Sequence, residues 1–123
     1  MTANTPQSRK AKGRNLQKWV RDELYKCFPH LAPDDVTSRS MGSNGEDLIL
    51  ATPAAKVFPY SIECKNVEKL NIWEAYTQAK ANCKKEQIVP LVVFKKNHHR
   101  PLVAVDAEYF IWLHKELTKG EVP

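Results

Sequence analysis

The stretch Ser61-Ile62-Glu63-Cys64-Lys65 constrains this chain more than any other. Along a β-strand successive side chains point to opposite faces, so Ile62 and Cys64 supply an apolar face for a core while Glu63 and Lys65 share the other. Asp47 opens the run Asp47-Leu48-Ile49-Leu50, and 63 − 47 = 16 residues suffice for a strand, a turn and a returning strand. The expectation is a sheet in which Asp47 meets Glu63 at the edge with Lys65 beside them.

That trio carries a recognisable chemistry. Two converging carboxylates suit a hard divalent cation such as Mg2+, which takes oxygen ligands and keeps some of its waters. Such a cation lowers the pKa of bound water and offsets charge on a phosphoryl group, and a lysine orients the nucleophile or neutralises developing charge. Asp47 and Glu63 are therefore candidate metal ligands for Mg2+ or Mn2+, with Lys65 as the catalytic cation. A solvated ion pair on a strand face explains Glu-x-Lys equally well when it stands alone.

A length of 123 residues predicts one domain with one core. The net charge of +5 and a pI near 9.2 favour an anionic partner, with nucleic acid ahead of a membrane because no amphipathic basic helix dominates. Cys27, Cys64 and Cys83 lie far apart among apolar neighbours, which predicts reduced core thiols and a cytoplasmic protein. No apolar run reaches the ~18 residues of a membrane span, and the N-terminus has no apolar signal-peptide core.

Residues 1–12 are polar and lack apolar periodicity, which predicts a flexible basic arm before a single domain over 13–123. From Asn15 a helix is expected, with Leu16, Val20, Leu24 and Cys27 on one stripe, Trp19 extending it and Pro29 closing it. Glu23 falls inside that stripe and needs an ion-pair partner; Gln17 sits at its edge. Val36 to Met41 reads as a first strand, and Gly42-Ser43-Asn44-Gly45 as a loop able to hydrogen-bond phosphate. Strands from Asp47 and over 57–65 are joined across Thr52 to Lys56. Ile72, Tyr76, Ala79 and Cys83 mark a second helix, with Trp73 at its margin and Gln78 facing outward. Pro90 to Phe94 reads as a buried strand, Lys95 to Arg100 as a basic turn containing His98 and His99, and Leu102 to Val105 as a returning strand. Asp106 caps a last helix whose core stripe is Phe110, Leu113 and Leu117. Tyr109, Ile111 and Trp112 leave apolar surface on its other sides, so a second copy of the chain is an expected partner.

The order helix, three strands, helix, two strands, helix, with an acid and Glu-x-Lys on successive strands, resembles the PD-(D/E)XK nuclease superfamily. More narrowly, Lys12-Gly13, Ser40-Met41-Gly42-Ser43, the spacer Asn44-Gly45-Glu46, Asp47, and Ile62-Glu63-Cys64-Lys65 resemble the archaeal and phage Holliday-junction resolvases. The resemblance implies an α/β fold with a central mixed β-sheet flanked by helices, of the restriction-endonuclease-like kind. It implies Mg2+- or Mn2+-dependent resolution of four-way DNA junctions by a homodimer. Asp47 and Glu63 carry over as metal ligands, Lys65 as catalytic lysine and Ser43 as a loop residue near the scissile phosphate. Where the family has a glutamate, four residues after the Lys-Gly glycine, this chain has Gln17, which is assigned to positioning phosphate or a bound water; Glu23 is the other candidate for the missing charge. Arg9, Lys10, Lys12, Arg14, Arg39, Asn66, Lys95 and Lys96, with Ser43, are the expected DNA contacts. Alternatives are a sequence- or damage-specific endonuclease of the same superfamily, and a non-catalytic DNA-binding module with the same fold.

Overall fold

The computed structural model describes residues 5–39, 45–83 and 85–120. In chain order its elements are α1 (Pro6–Cys27), β1 (Val36–Ser38), β2 (Leu48–Leu50), α2 (Thr52–Val57), β3 (Tyr60–Asn66), α3 (Ile72–Asn82), β4 (Val89–Lys95), β5 (Leu102–Ala104) and α4 (Ala107–Leu117). The five strands form one mixed sheet in the order β1-β2-β3-β4-β5. β3 and β4 run parallel, which requires the crossover that α3 supplies; the other neighbours are antiparallel. The protein is thus α/β, with a five-stranded mixed sheet flanked by helices.

Alternation along β3 divides the core between two helices. Ile62 and Cys64 join Leu91 and Val93 of β4 and Leu16, Val20 and Leu24 of α1 in one cluster. Val92 gathers Ala75 and Ala79 of α3 into a second. Small residues on α3 let that helix lie close to the sheet. Ile62 and Leu48, both without exposed surface, are the kind of core residue whose truncation to alanine costs ~2–5 kcal/mol.

α1 begins earlier than the apolar pattern indicates. Residues 6–12, expected in a flexible arm, form its first turns, while residues 1–4 lie outside the described chain. The start is local in origin: the Thr5 hydroxyl accepts the Ser8 N–H at 3.1 Å, and Pro6 occupies a first-turn position where its missing N–H costs nothing. At the other end Cys27 is exposed, contrary to its expected core place. Burial advances by fours from Leu16 to Val20 to Leu24, so the next position against the core is Phe28, and Cys27 turns away. Cys83 is only partly covered, and Cys64 alone of the three cysteines is buried.

Two further departures lie in the connections and at the end of the chain. β1 runs over Val36–Ser38 and Arg39 is outside it, where a strand to Met41 was expected, residues 40 and 41 lying outside the described chain. Residues 52–56, expected to be a plain connection, and Val57, expected to open the next strand, form α2 with Pro53 in its first turn and the Phe58 N–H bonded back to Ala54 at 2.8 Å. α4 is capped as expected, the Asp106 carboxylate accepting the Tyr109 N–H at 2.9 Å. Its expected core stripe, however, is not buried: Phe110 is 50% and Leu117 64% exposed. The helix meets the body through Tyr109, whose ring lies edge-on to Tyr60 at 5.9 Å, and this orientation turns Phe110, Ile111 and Leu117 outward.

The turn between α1 and β1 is organised by one hydroxyl. Tyr25 Oη donates to the Pro33 carbonyl at 2.7 Å and accepts the Val36 N–H at 3.1 Å, so it starts the first strand at a fixed distance from the helix. Removing it strands a partly buried N–H, a loss worth ~1–3 kcal/mol. Tyr25→Phe is expected to lower the unfolding free energy by about that amount in urea titration with an unchanged m-value; an unchanged midpoint would show that the hydroxyl does not organise the turn.

Candidate active site

Asp47 precedes β2 and is attached to β3 twice. Its N–H donates to the Ile62 carbonyl at 2.8 Å, and its Oδ2 accepts the Cys64 N–H at 2.6 Å. β2 and β3 share one register pair, Leu48 with Ile62, so the carboxylate carries the contact where the backbone ladder is shortest. Arg39, just after β1, secures the other side: its N–H donates to the Asp47 carbonyl at 2.8 Å, its Nε to the Glu46 carbonyl at 2.7 Å and its Nη2 to Glu46 Oε1 at 2.8 Å. Gly45 lies under this guanidinium with φ +112°, and a Cβ there would sit 2.9 Å from Arg39 Cζ. The positive φ favours glycine, whereas the contact would be met by a shift of the Arg39 guanidinium.

Glu63 projects from the middle of β3 and is only 4% exposed. Asn82, the last residue of α3, donates through Nδ2 to Glu63 Oε1 at 2.8 Å and to the Gly45 carbonyl at 3.2 Å. One amide thus ties the carboxylate to the segment that leads into Asp47. Asn82 is the residue the sequence reading missed. Its signal was faint: it continues the inward stripe Ala75, Ala79 at a spacing of three, an unusual place for an amide without a partner.

Burial and mutual repulsion make this a strained pair of acids. Burial raises the Asp47 carboxyl above its ordinary pKa; the Cys64 N–H and the charges of Lys65 and Arg39 oppose that rise. Burial also raises Glu63, and the Asp47 charge adds to it, against the Asn82 hydrogen bond and Lys65. Cys64 between them is held as a neutral thiol by burial and by the same two carboxylates. Asp47, Glu63 and Lys65 therefore act on one another electrostatically, Glu63 and Lys65 through strand alternation and Asp47 through the return of the chain.

The donor set fits a hard cation. Asp47 and Glu63 each spend one oxygen on a hydrogen bond, no described residue bonds the second, and a dication would relieve the repulsion between the pair. Among the described residues there is no group of three or more His, Cys, Asp or Glu side chains placed for a metal, so the two carboxylates are the acidic donors at this place. Beside the site, a cavity of about 300 Å³ is lined by Arg39, Glu46, Leu48, Ser61 and Asn82, among others.

Of the remaining candidates, Arg39 stands beside Asp47. Ser43 lies outside the described residues. Gln17 is buried on α1, deeper than the stripe edge expected for it. Glu23 is not buried in its stripe but half-exposed and paired with Lys26 at 3.8 Å. Arg39, expected to meet DNA, is engaged with Glu46, and Asn66 donates to the Lys12 carbonyl at 3.2 Å. Arg9, Lys10 and Arg14 are exposed on α1 as part of a helix, Lys12 is partly covered, Lys95 donates to the Lys96 carbonyl at 3.1 Å, and Lys96 is exposed. Compared with known protein families, with curated proteins and with solved structures, the chain finds no match.

An acid whose folded pKa is raised holds its proton more tightly in the fold than in the unfolded chain. The fold is then most favoured below the unfolded pKa of about 4 and loses that advantage as pH rises through the folded value. Glu63→Gln keeps the acceptor for Asn82 and removes the charge. It is expected to raise the melting temperature in metal-free buffer at pH 7, with the gain disappearing near pH 4. A variant that is less stable than wild type at pH 7 would mean that the ionised carboxylate is well solvated.

Proposed function

We propose that the protein is a metal-dependent DNA endonuclease of the restriction-endonuclease-like kind, acting on four-way junctions. The observation that carries this reading is the attachment of Asp47 to β3 beside Glu63, with Lys65 on the same strand. The order α1, β1, β2, α2, β3, α3, β4, β5, α4, which adds only the short α2 to the expected order, supports the resemblance to that superfamily, as does the approach of Asp47 to Glu63 across β2 and β3.

In this reading Asp47 and Glu63 would hold Mg2+ or Mn2+. When bound, the cation acidifies a coordinated water and offsets charge on the phosphoryl group. The protein's own part is orientation. Cys64 N–H fixes one carboxylate and Asn82 the other, so neither has to be reorganised when substrate arrives. Burial and the nearness of the two acids disfavour their paired negative charge, which a dication would offset. Lys65, partly exposed at the end of the pair, positions the attacking water or neutralises the phosphoryl oxygens. Ser43 is assigned beside the phosphate, and Gln17 to a bound water, on the strength of the resemblance alone. Arg9, Lys10 and Arg14 present charge along α1 for the phosphate backbone.

Junction resolution requires paired cuts and hence two sites, so the active species is a homodimer. The exposed apolar residues Phe110, Ile111 and Trp112 of α4, with Leu102 and Val103 of β5, are the surface proposed for that contact.

The test is cleavage of a labelled immobile four-way junction beside linear duplex of the same sequence, with Mg2+ and with EDTA. Wild type is expected to make paired, symmetric nicks in the junction alone. Glu63→Ala and EDTA abolish them, and Lys65→Ala lowers the rate roughly 100- to 1,000-fold, the usual cost of losing one transition-state contact. Equal cutting of duplex would remove junction specificity. A folded protein that binds the junction but cuts nothing would leave a DNA-binding module in place of a nuclease.

A further inference from the structure

We propose that Trp73 is a stacking platform for an unpaired base of the DNA strand led to this site, an inference that rests on DNA being the substrate. At 80% exposure Trp73 is the most exposed large hydrophobic residue of the described chain. It is the second residue of α3, on a helix whose inward stripe is Ala75, Ala79 and Asn82, and its indole has no ring partner among the described residues. The core has no use for it.

Its place in the fold gives the exposed ring a context. α3 starts where β3 and β4 end, and one strand pairing and two hydrogen bonds fasten neighbouring segments together there. Asn66 lies opposite Lys95 in the sheet, donates to the Lys12 carbonyl of α1, and is followed by Glu68, whose carboxylate accepts the Asn97 N–H at 2.7 Å. That end of the sheet carries Lys65, Lys69, Lys95, Lys96 and Arg100, with Lys12 on α1 across the sheet, against the acids Glu68 and Glu74. Positive charge therefore predominates at the end of the sheet from which α3 and its indole start.

An exposed aromatic face next to a basic track is what a nucleotide strand with an unstacked base requires: phosphates meet the lysines, and the base covers the ring. Paired bases inside a duplex are already stacked and have no face to offer. Bases at a branch point or in a single strand do. A protein partner fits less well, because Trp73 stands among Lys69, Asn71 and Glu74, whereas the contiguous apolar surface belongs to α4 and β5.

The experiment uses the full chain with Trp19→Phe and Trp112→Phe, leaving Trp73 as its one tryptophan, titrated in EDTA with an immobile four-way junction, with single strand and with linear duplex. Fluorescence is expected to be quenched by junction and single strand and little changed by duplex. In the otherwise native chain, Trp73→Ala is expected to weaken junction binding roughly 10- to 100-fold by anisotropy, the range of one base–aromatic stack, with Trp73→Phe recovering most of it and duplex binding within about twofold of wild type. Unquenched fluorescence on a bound junction, or an equal loss for duplex and junction, overturns the proposal. So does a fall in oligomeric state of Trp73→Ala without quenching, which would assign the ring to a contact between copies. Quenching by a chain that never cuts DNA in Mg2+ keeps the stacking and discards the nuclease; cutting with Trp73 unquenched does the reverse.

Discussion

The hydrogen bond from the Cys64 N–H to Asp47 Oδ2 is the constraint on which the rest of the site depends. β2 touches β3 through one register pair, so the sheet is narrowest in hydrogen bonds just where β1 and β2 join the parallel pair β3–β4. Asp47 bridges that place with its side chain. In doing so it brings a carboxylate against Glu63 in a partly dry environment, which each acid resists by a raised pKa. Burial thus disfavours the charge on both acids, a perturbation of the kind that clusters at functional sites.

Around this pair the two faces of the sheet take different work. α1 covers the face of Ile62 and Cys64 and makes the larger apolar cluster. α3 covers the other face with alanines and ends in Asn82, so the same helix that packs closely on Val92 delivers the amide that orients Glu63. Its opposite end raises Trp73 above the carboxyl ends of β3 and β4, the usual side for ligands in open α/β sheets. The setting of the acid pair and the place of Trp73 thus follow from one crossover connection.

What was legible in the sequence was what depends on local periodicity. Alternation along Ile62-Glu63-Cys64-Lys65 located β3 and the face of its acid, the apolar stripes located α1 and α3, and Asp106 announced the cap of α4. The approach of Asp47 to Glu63 was readable because antiparallel neighbours in sequence are usually neighbours in space. The rest depended on features that periodicity does not carry. Thr5 and Pro6 start a helix through capping, not through an apolar stripe, and α2 forms from Pro53 and its alanines in what looked like a connection. The rotation of α4 is decided by a tertiary contact between Tyr109 and Tyr60, so no pattern within the helix could reveal that Phe110 faces outward. Asn82 reaches Glu63 across 19 residues, and the engagement of Arg39 with Glu46 depends on a glycine at positive φ.

The central claim is that Asp47 and Glu63 form one cation site. The most direct measurement is paramagnetic broadening of backbone amide signals by Mn2+ at increasing concentration, with Mg2+ as the competitor. Losses that begin at Glu46, Asp47, Glu63, Cys64 and Asn82, recover with Mg2+ and vanish in Glu63→Gln are the result this account predicts. Broadening that begins at His98 and His99, or an identical pattern in Glu63→Gln, would contradict it.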